Sequence, residues 1–210
     1  MAKNKELRIN AAAELRAVGE GKTKAIEGYA AKYGTRSHEM FDRRTGRAFI
    51  ETIARGAFKK ILRSNPDVCC LVGHDDSRLL GRTTSGTLSL SEDNVGLRFH
   101  CELPDTTLGR DTHISIQRGD ISGCSFAFSL DEGDDEWSED DSRMTVATRN
   151  KPYLRTLRNF SELSDVSVVV HPAYDDTDVQ ARKRAAEGHP TTHIEQVEQY
   201  ARLFREIHNI

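Results

Sequence analysis

Apolar residues along this chain recur mostly at every second position, the period of half-buried strands. Two such stretches, around Leu7–Ile9 and Ile26–Ala30, flank the glycine-rich segment Val18-Gly19-Glu20-Gly21-Lys22, which reads as a turn-prone linker. Residues 34–48 are polar and read as a surface loop. After Phe49-Ile50-Glu51-Thr52-Ile53 the period changes: Phe58, Ile61 and Leu62 share one helical face, and Pro66 stops that helix. Val68–Val72 is continuously apolar, as in a strand buried on both faces, and delivers Gly73-His74-Asp75-Asp76 at its end. Thr87–Ser91 and Gly96–Leu103 flank Glu92-Asp93-Asn94 as a hairpin, with Leu97, Phe99, Cys101 and Leu103 facing inward. Asp105 or Thr106 caps a helix that runs to about Arg118 and that Gly119 ends.

The strand that follows has Phe126, Phe128 and Leu130 on one face and Ser125, Ala127 and Ser129 on the other. Residues 131–141 are rich in acids and read as a solvated hairpin tip, since the spacing of a calcium-binding EF-hand is absent. Arg155-Thr156-Leu157 and Leu163–Val170 are two further strands, the second rich in β-branched residues and leading to His171-Pro172. From Asp175 the chain turns polar. Ile194, Val197, Tyr200, Ala201, Phe204 and Ile207 then recur at helical spacing. The expected organisation is one mostly β domain with flanking helices over residues 1–175, a polar linker over 176–192, and an amphipathic packing or docking helix over 193–210.

Composition narrows the functional classes. A net charge of −3 over 210 residues, with the only dense charge cluster acidic, argues against a nucleic-acid binder. No apolar run is long enough to span a membrane, and the N-terminus lacks the apolar core of a secretory signal. Cys69, Cys70, Cys101 and Cys124 show no CxxC spacing, so neither a zinc site nor a disulfide framework is expected, and the natural home is a reducing cytoplasm. No metal or other cofactor is implied. His189 and His193 are four apart but lie beside Pro190 and read as non-ligands.

Ser125 opens a strand just after Gly123, where the backbone can be approached closely. It reads either as a nucleophile or as a strand-edge serine beside a turn. A nucleophilic serine needs an imidazole within hydrogen-bond reach and a group to orient that imidazole. His74 closes one buried strand and Asp165 begins another, so the two could converge on Ser125; His171 is an alternative third member. Gly123-Cys124-Ser125-Phe126-Ala127 approaches the G-x-S-x-G elbow, but Ala127 replaces the second glycine and a strand, not a helix, follows. The order His74, Ser125, Asp165 also differs from the common serine-hydrolase orders, which disfavours an α/β-hydrolase.

Further residues carry a resemblance. Glu27-Gly28-Tyr29-Ala30-Ala31, Glu51–Phe58, Gly73-His74-Asp75, Leu80-Gly81-Arg82-Thr83 and Ser85-Gly86-Thr87-Leu88 are followed by Leu103-Pro104-Asp105-Thr106 and Arg118–Phe126. Arg155-Thr156-Leu157, Asp165–Val169 and Pro172-Ala173-Tyr174 complete the series. In this order they resemble the prohead (capsid maturation) proteases of tailed bacteriophages over most of residues 6–182. The resemblance implies a serine endopeptidase with a closed or partly closed β-barrel of the herpesvirus assembly-protease type. Its histidine matches His74, its serine Ser125, and its acid, typically a glutamate, Asp165. Herpesvirus enzymes of this fold use a second histidine, which keeps His171 in view. Oxyanion stabilisation is expected from backbone N–H groups, with Arg82 or Arg155 as candidate helpers.

The implied substrates are the major capsid protein precursor, scaffold segments and the protease itself, inside the immature prohead in the host bacterial cytoplasm. Lys183–Glu187 is a candidate self-cleavage segment, and self-association is a further expected contact. No nucleic-acid or membrane partner is implied. The competing class is a non-enzymatic assembly or scaffold protein in which Ser125 and His74 are packing residues.

Overall fold

The computed structural model describes residues 5–10, 14–19, 24–37, 39–42, 47–139 and 153–170. In chain order its first elements are β1 (Glu6–Asn10), β2 (Arg16–Val18), β3 (Ala25–Lys32), β4 (Met40–Asp42), β5 (Arg47–Ile53), α1 (Lys59–Arg63), β6 (Cys69–Val72) and β7 (Asp75–Arg82). They continue with β8 (Leu88–Glu92), β9 (Gly96–Glu102), α2 (Thr107–Arg118), β10 (Gly123–Ser129), β11 (Asp135–Glu139), β12 (Tyr153–Leu157) and β13 (Glu162–Val169).

These strands form three sheets. The five-stranded sheet has the order β1-β10-β13-β6-β7, and the two four-stranded sheets have the orders β11-β12-β5-β4 and β2-β3-β9-β8. Apolar burial holds them together. Phe58, Phe99, Phe126, Phe128 and Phe160 are all fully buried. Phe58 stacks on Phe160 at 4.4 Å between ring centroids, and Phe160 meets the edge of Phe128 at 5.0 Å. Burying side chains of this size is worth roughly 1.5–3 kcal/mol each, so this aromatic cluster is what β10 is pinned to.

Several elements form as their patterns predict. The 88–102 hairpin buries Leu97, Phe99 and Cys101, and Leu103 just beyond it is buried too. Helix α2 starts at Thr106, whose hydroxyl accepts the Gly109 N–H at 3.2 Å, and stops at Gly119 in the left-handed conformation (φ 82°).

Other expectations change. The strand β2 ends at Val18, the first residue of the glycine-rich segment, and the polar 34–48 loop contains β4. Both are three-residue strands, too short for an alternation to be visible. The solvated tip expected at 131–141 is a turn followed by the strand β11, which pairs with β12. There Asp134 is buried, its carboxylate accepting the Asp131 N–H, and Asp135 is ion-paired with Arg155. Strand β10 is buried on both faces rather than half-buried. Among the described residues the ladders do not close into a barrel: each sheet has open edges. The linker 176–192, the helix 193–210, the segment 183–187 and His171 lie outside the described residues.

Gly96 marks the tightest backbone approach between β3 and β9. It pairs with Lys32, just past a register shift in β3, and a methyl group there would run into the Ala31 carbonyl oxygen. Backbone cannot rotate away as a side chain can. Gly96→Ala is therefore expected to destabilise the fold by about 3 kcal/mol or more, at the upper end of overpacking penalties. A fall in the urea midpoint without a change in m-value would show it.

Candidate active site

The site is built on β6, β13 and β10, three adjacent strands of the five-stranded sheet. Strand β6 pairs antiparallel with β7 across a two-residue connection, Gly73-His74, with Val72 opposite Asp75. Both residues have positive φ, 68° and 60°. Two successive left-handed residues match the right-handed twist of the flanking strands, and they are comfortable for glycine but costly for histidine. That conformation is fixed by hydrogen bonds to β13: the Gly73 N–H donates to the Val168 carbonyl at 3.0 Å and the His74 N–H to the Ser167 hydroxyl at 3.2 Å. Strain of this kind persists where the surroundings over-determine it, and such places cluster at functional sites.

From this turn the imidazole reaches across β13 to β10. Nδ1 lies 2.6 Å from Asp165 Oδ1 and Nε2 lies 2.6 Å from Ser125 Oγ. Asp165 and Ser167 share a face of β13 with Ala127 and Ser125 of β10, because Asp165 pairs with Ala127 and Ser167 with Ser125. The Ser167 hydroxyl also donates to Asp165 Oδ1 at 2.9 Å. Burial pushes the Asp165 carboxyl's pKa up, but the hydrogen bond and charge of His74, with help from Ser167 and Lys5, hold it below the usual carboxylate value. A carboxylate kept ionised against Nδ1 fixes the tautomer that leaves Nε2 free to accept a proton. Chemically, the arrangement can deprotonate the Ser125 hydroxyl.

A family model described as caudovirus prohead serine protease matches residues 11–192, most of the chain. The chain belongs to that family. Comparison with curated proteins and with solved structures found no match. Membership makes this chain a serine peptidase of bacteriophage capsid maturation, with capsid protein as its implied substrate.

In this prohead protease the other candidate residues fall elsewhere. Arg82 forms a two-point pair with Asp67 at 2.7 and 2.6 Å on the surface. Arg155 is buried and bonds Glu6, Glu51 and Asp135. Both guanidiniums are thus held by carboxylates, and neither is bonded to Ser125 or His74. His100 is half-exposed beside Glu27, and buried His113 donates from Nε2 to the Val18 carbonyl at 3.2 Å. Among the described residues no group of three His, Cys, Asp or Glu could hold a metal ion, and no helix is long and apolar enough to cross a membrane.

Sequence reasoning missed four residues around the site. Ser167 was legible in principle, since Asp165 and Ser167 are polar positions alternating with Val166 and Val168 inside a strand. Glu51 is a charge inside the apolar run Phe49–Ile53, and it is only 3% exposed. Lys5 and Arg8 carry no local signal. They reach the site because β1 pairs with β10, with Arg8 opposite Phe126 and Ile9 opposite Ser125.

Proposed function

We propose that this protein is a serine endopeptidase in which Ser125 is the nucleophile, His74 the general base and Asp165 the orienting acid. The observation that carries the reading is the unbroken relay from Asp165 Oδ1 through the His74 ring to Ser125 Oγ, two contacts of 2.6 Å each. In the acylation step His74 Nε2 takes the Ser125 proton as Oγ bonds to the peptide carbonyl carbon. The imidazolium then returns that proton to the leaving amine as the C–N bond breaks, and water reverses the sequence to release the acyl chain. Asp165 stabilises the imidazolium throughout. The substrates are the capsid precursor and scaffold segments, with the protease itself, inside the immature prohead.

The three open sheets fit a partly closed barrel of the herpesvirus assembly-protease type, a reading supported by the hydrophobic core they share. The C-terminal segment 176–210 is assigned to docking in the assembling shell.

One observation favours the competing reading of a non-enzymatic assembly protein: Ser125 is 0% exposed. A covalent fluorophosphonate separates the two. The account expects one adduct, located by peptide mass spectrometry on Ser125 and lost in Ser125→Ala. Labelling elsewhere, or none after prolonged exposure, would leave the assembly-protein reading in possession.

A further inference from the structure

Ser125 is fully buried, and an edge strand lies against its hydroxyl. β1 occupies the outer side of β10, at the end of the five-stranded sheet. The Ser125 hydroxyl donates to the Arg8 carbonyl of β1 at 2.9 Å while lying 2.6 Å from His74 Nε2. A serine hydroxyl has one proton, so the carbonyl of β1 competes with the imidazole for it. Just before β1, Lys5 Nζ sits 3.2 Å from Asp165 Oδ2. This strand and the lysine just before it therefore touch two of the three proposed catalytic residues, and both lie before residue 11, where the family match begins.

The Arg8 side chain has a recess of its own. Its guanidinium makes two bonds to Glu51, Nε to Oε1 at 2.5 Å and a terminal nitrogen to Oε2 at 2.8 Å, and lies 5.5 Å over the Phe128 ring. Glu51 is held in place by Arg155, whose guanidinium also bonds Asp135. If β1 leaves, Glu6 leaves with Arg8, and the recess retains two carboxylates, Glu51 and Asp135, against the single guanidinium of Arg155. What remains favours a cation that can take Arg8's place, over an aromatic face that also attracts one.

We infer that β1 is an internal stand-in for substrate: a peptide to be cut adds as a strand along β10, with an arginine or lysine on Glu51 and that residue's carbonyl at Ser125. This deepens the endopeptidase reading and rests on it. Strand addition supplies main-chain hydrogen bonds for affinity, and the Glu51 recess supplies the preference. The protease is closed while β1 is seated and opens when β1 is displaced.

The test uses the full chain and two peptide-like diphenyl phosphonates that differ only in the side chain at the phosphonylated residue, one basic and one leucine-like. A fluorophosphonate without a recognition side chain is the third probe, and adduct formation at Ser125 is followed by intact mass. Arg8→Ala is expected to react with the basic probe roughly tenfold or more faster than wild type does, and with a similar advantage over the leucine-like probe. Adding Glu51→Gln should erase that advantage. Arg8→Lys keeps a cation in the recess and should react as slowly as wild type. Should Arg8→Ala melt early, Arg8→Gln gives the same comparison with the side-chain stem retained. Equal rates for wild type and the neutral Arg8 variants, or no preference for the basic probe, would overturn the proposal while labelled Ser125 leaves the nucleophile reading standing. If none of the three probes reacts at Ser125 in any variant, the nucleophile reading fails and this proposal falls with it.

Discussion

His74→Ala is expected to slow peptide cleavage by roughly 10⁶-fold, the scale seen when the base of a Ser–His–Asp set is removed. Without the imidazole, Ser125 Oγ keeps only the Arg8 carbonyl as an acceptor, and a carbonyl cannot take its proton away. The substitution has a second consequence that must be separated from the first. His74 sits at φ 60°, a conformation that costs an alanine roughly 1–2 kcal/mol. Asparagine tolerates that region better. The pair His74→Ala and His74→Asn therefore divides backbone strain from chemistry. The alanine variant should melt at the lower temperature, and both should be equally inactive. If asparagine restored cleavage to within tenfold of wild type, the left-handed turn and not the base would be what matters.

Asp165→Asn is expected to cost roughly 10⁴-fold in kcat with little change in KM, because the wrong tautomer is stabilised. The carboxylate accepts from His74 Nδ1 and from the Ser167 hydroxyl. An amide in its place can offer its NH₂ to Nδ1, which puts the ring proton on Nε2, facing Ser125, where the base must be empty. The same substitution has a pH signature. The Asp165 carboxyl has its folded-state pKa held below the ordinary value. A group depressed on folding contributes stability that is present above its unfolded pKa of about 3.9 and is lost as pH falls through the lower folded value. The stability gap between wild type and Asp165→Asn should therefore be widest near neutrality and close below about pH 4. Urea unfolding across that range measures it, and a gap independent of pH would mean that Asp165 is not ionised in the folded protein.

The parts of this molecule legible in its sequence are those where burial writes a period. The 88–102 hairpin, helix α2 with its Thr106 cap, and the apolar β6 run all have strong one-faced or two-faced apolar patterns. Strands β7 and β11 have none. β7 is exposed along most of its length and β11 is acidic, yet both are paired edge strands. Their stability comes from a ladder with a neighbour, and for β11 from the Arg155 guanidinium, neither of which is encoded within the strand itself. The site divides the same way. Ser125 and Asp165 stand at strand positions where a polar group interrupts an apolar run, His74 follows the apolar β6 run in the turn to β7, and their order and neighbours resemble the family. The hydrogen bond from Ser125 to the Arg8 carbonyl depends on β1 finding β10 across more than a hundred residues of chain, a pairing that no local pattern announces.

In the proposed reading this chain cuts capsid precursor with Ser125. The most direct test of that reading is co-expression of the precursor with wild type and with Ser125→Ala, followed by intact mass of the precursor. A truncated precursor is expected with wild type alone and a full-length precursor with Ser125→Ala. Truncation that persists unchanged in Ser125→Ala, or a full-length precursor with both, would contradict it.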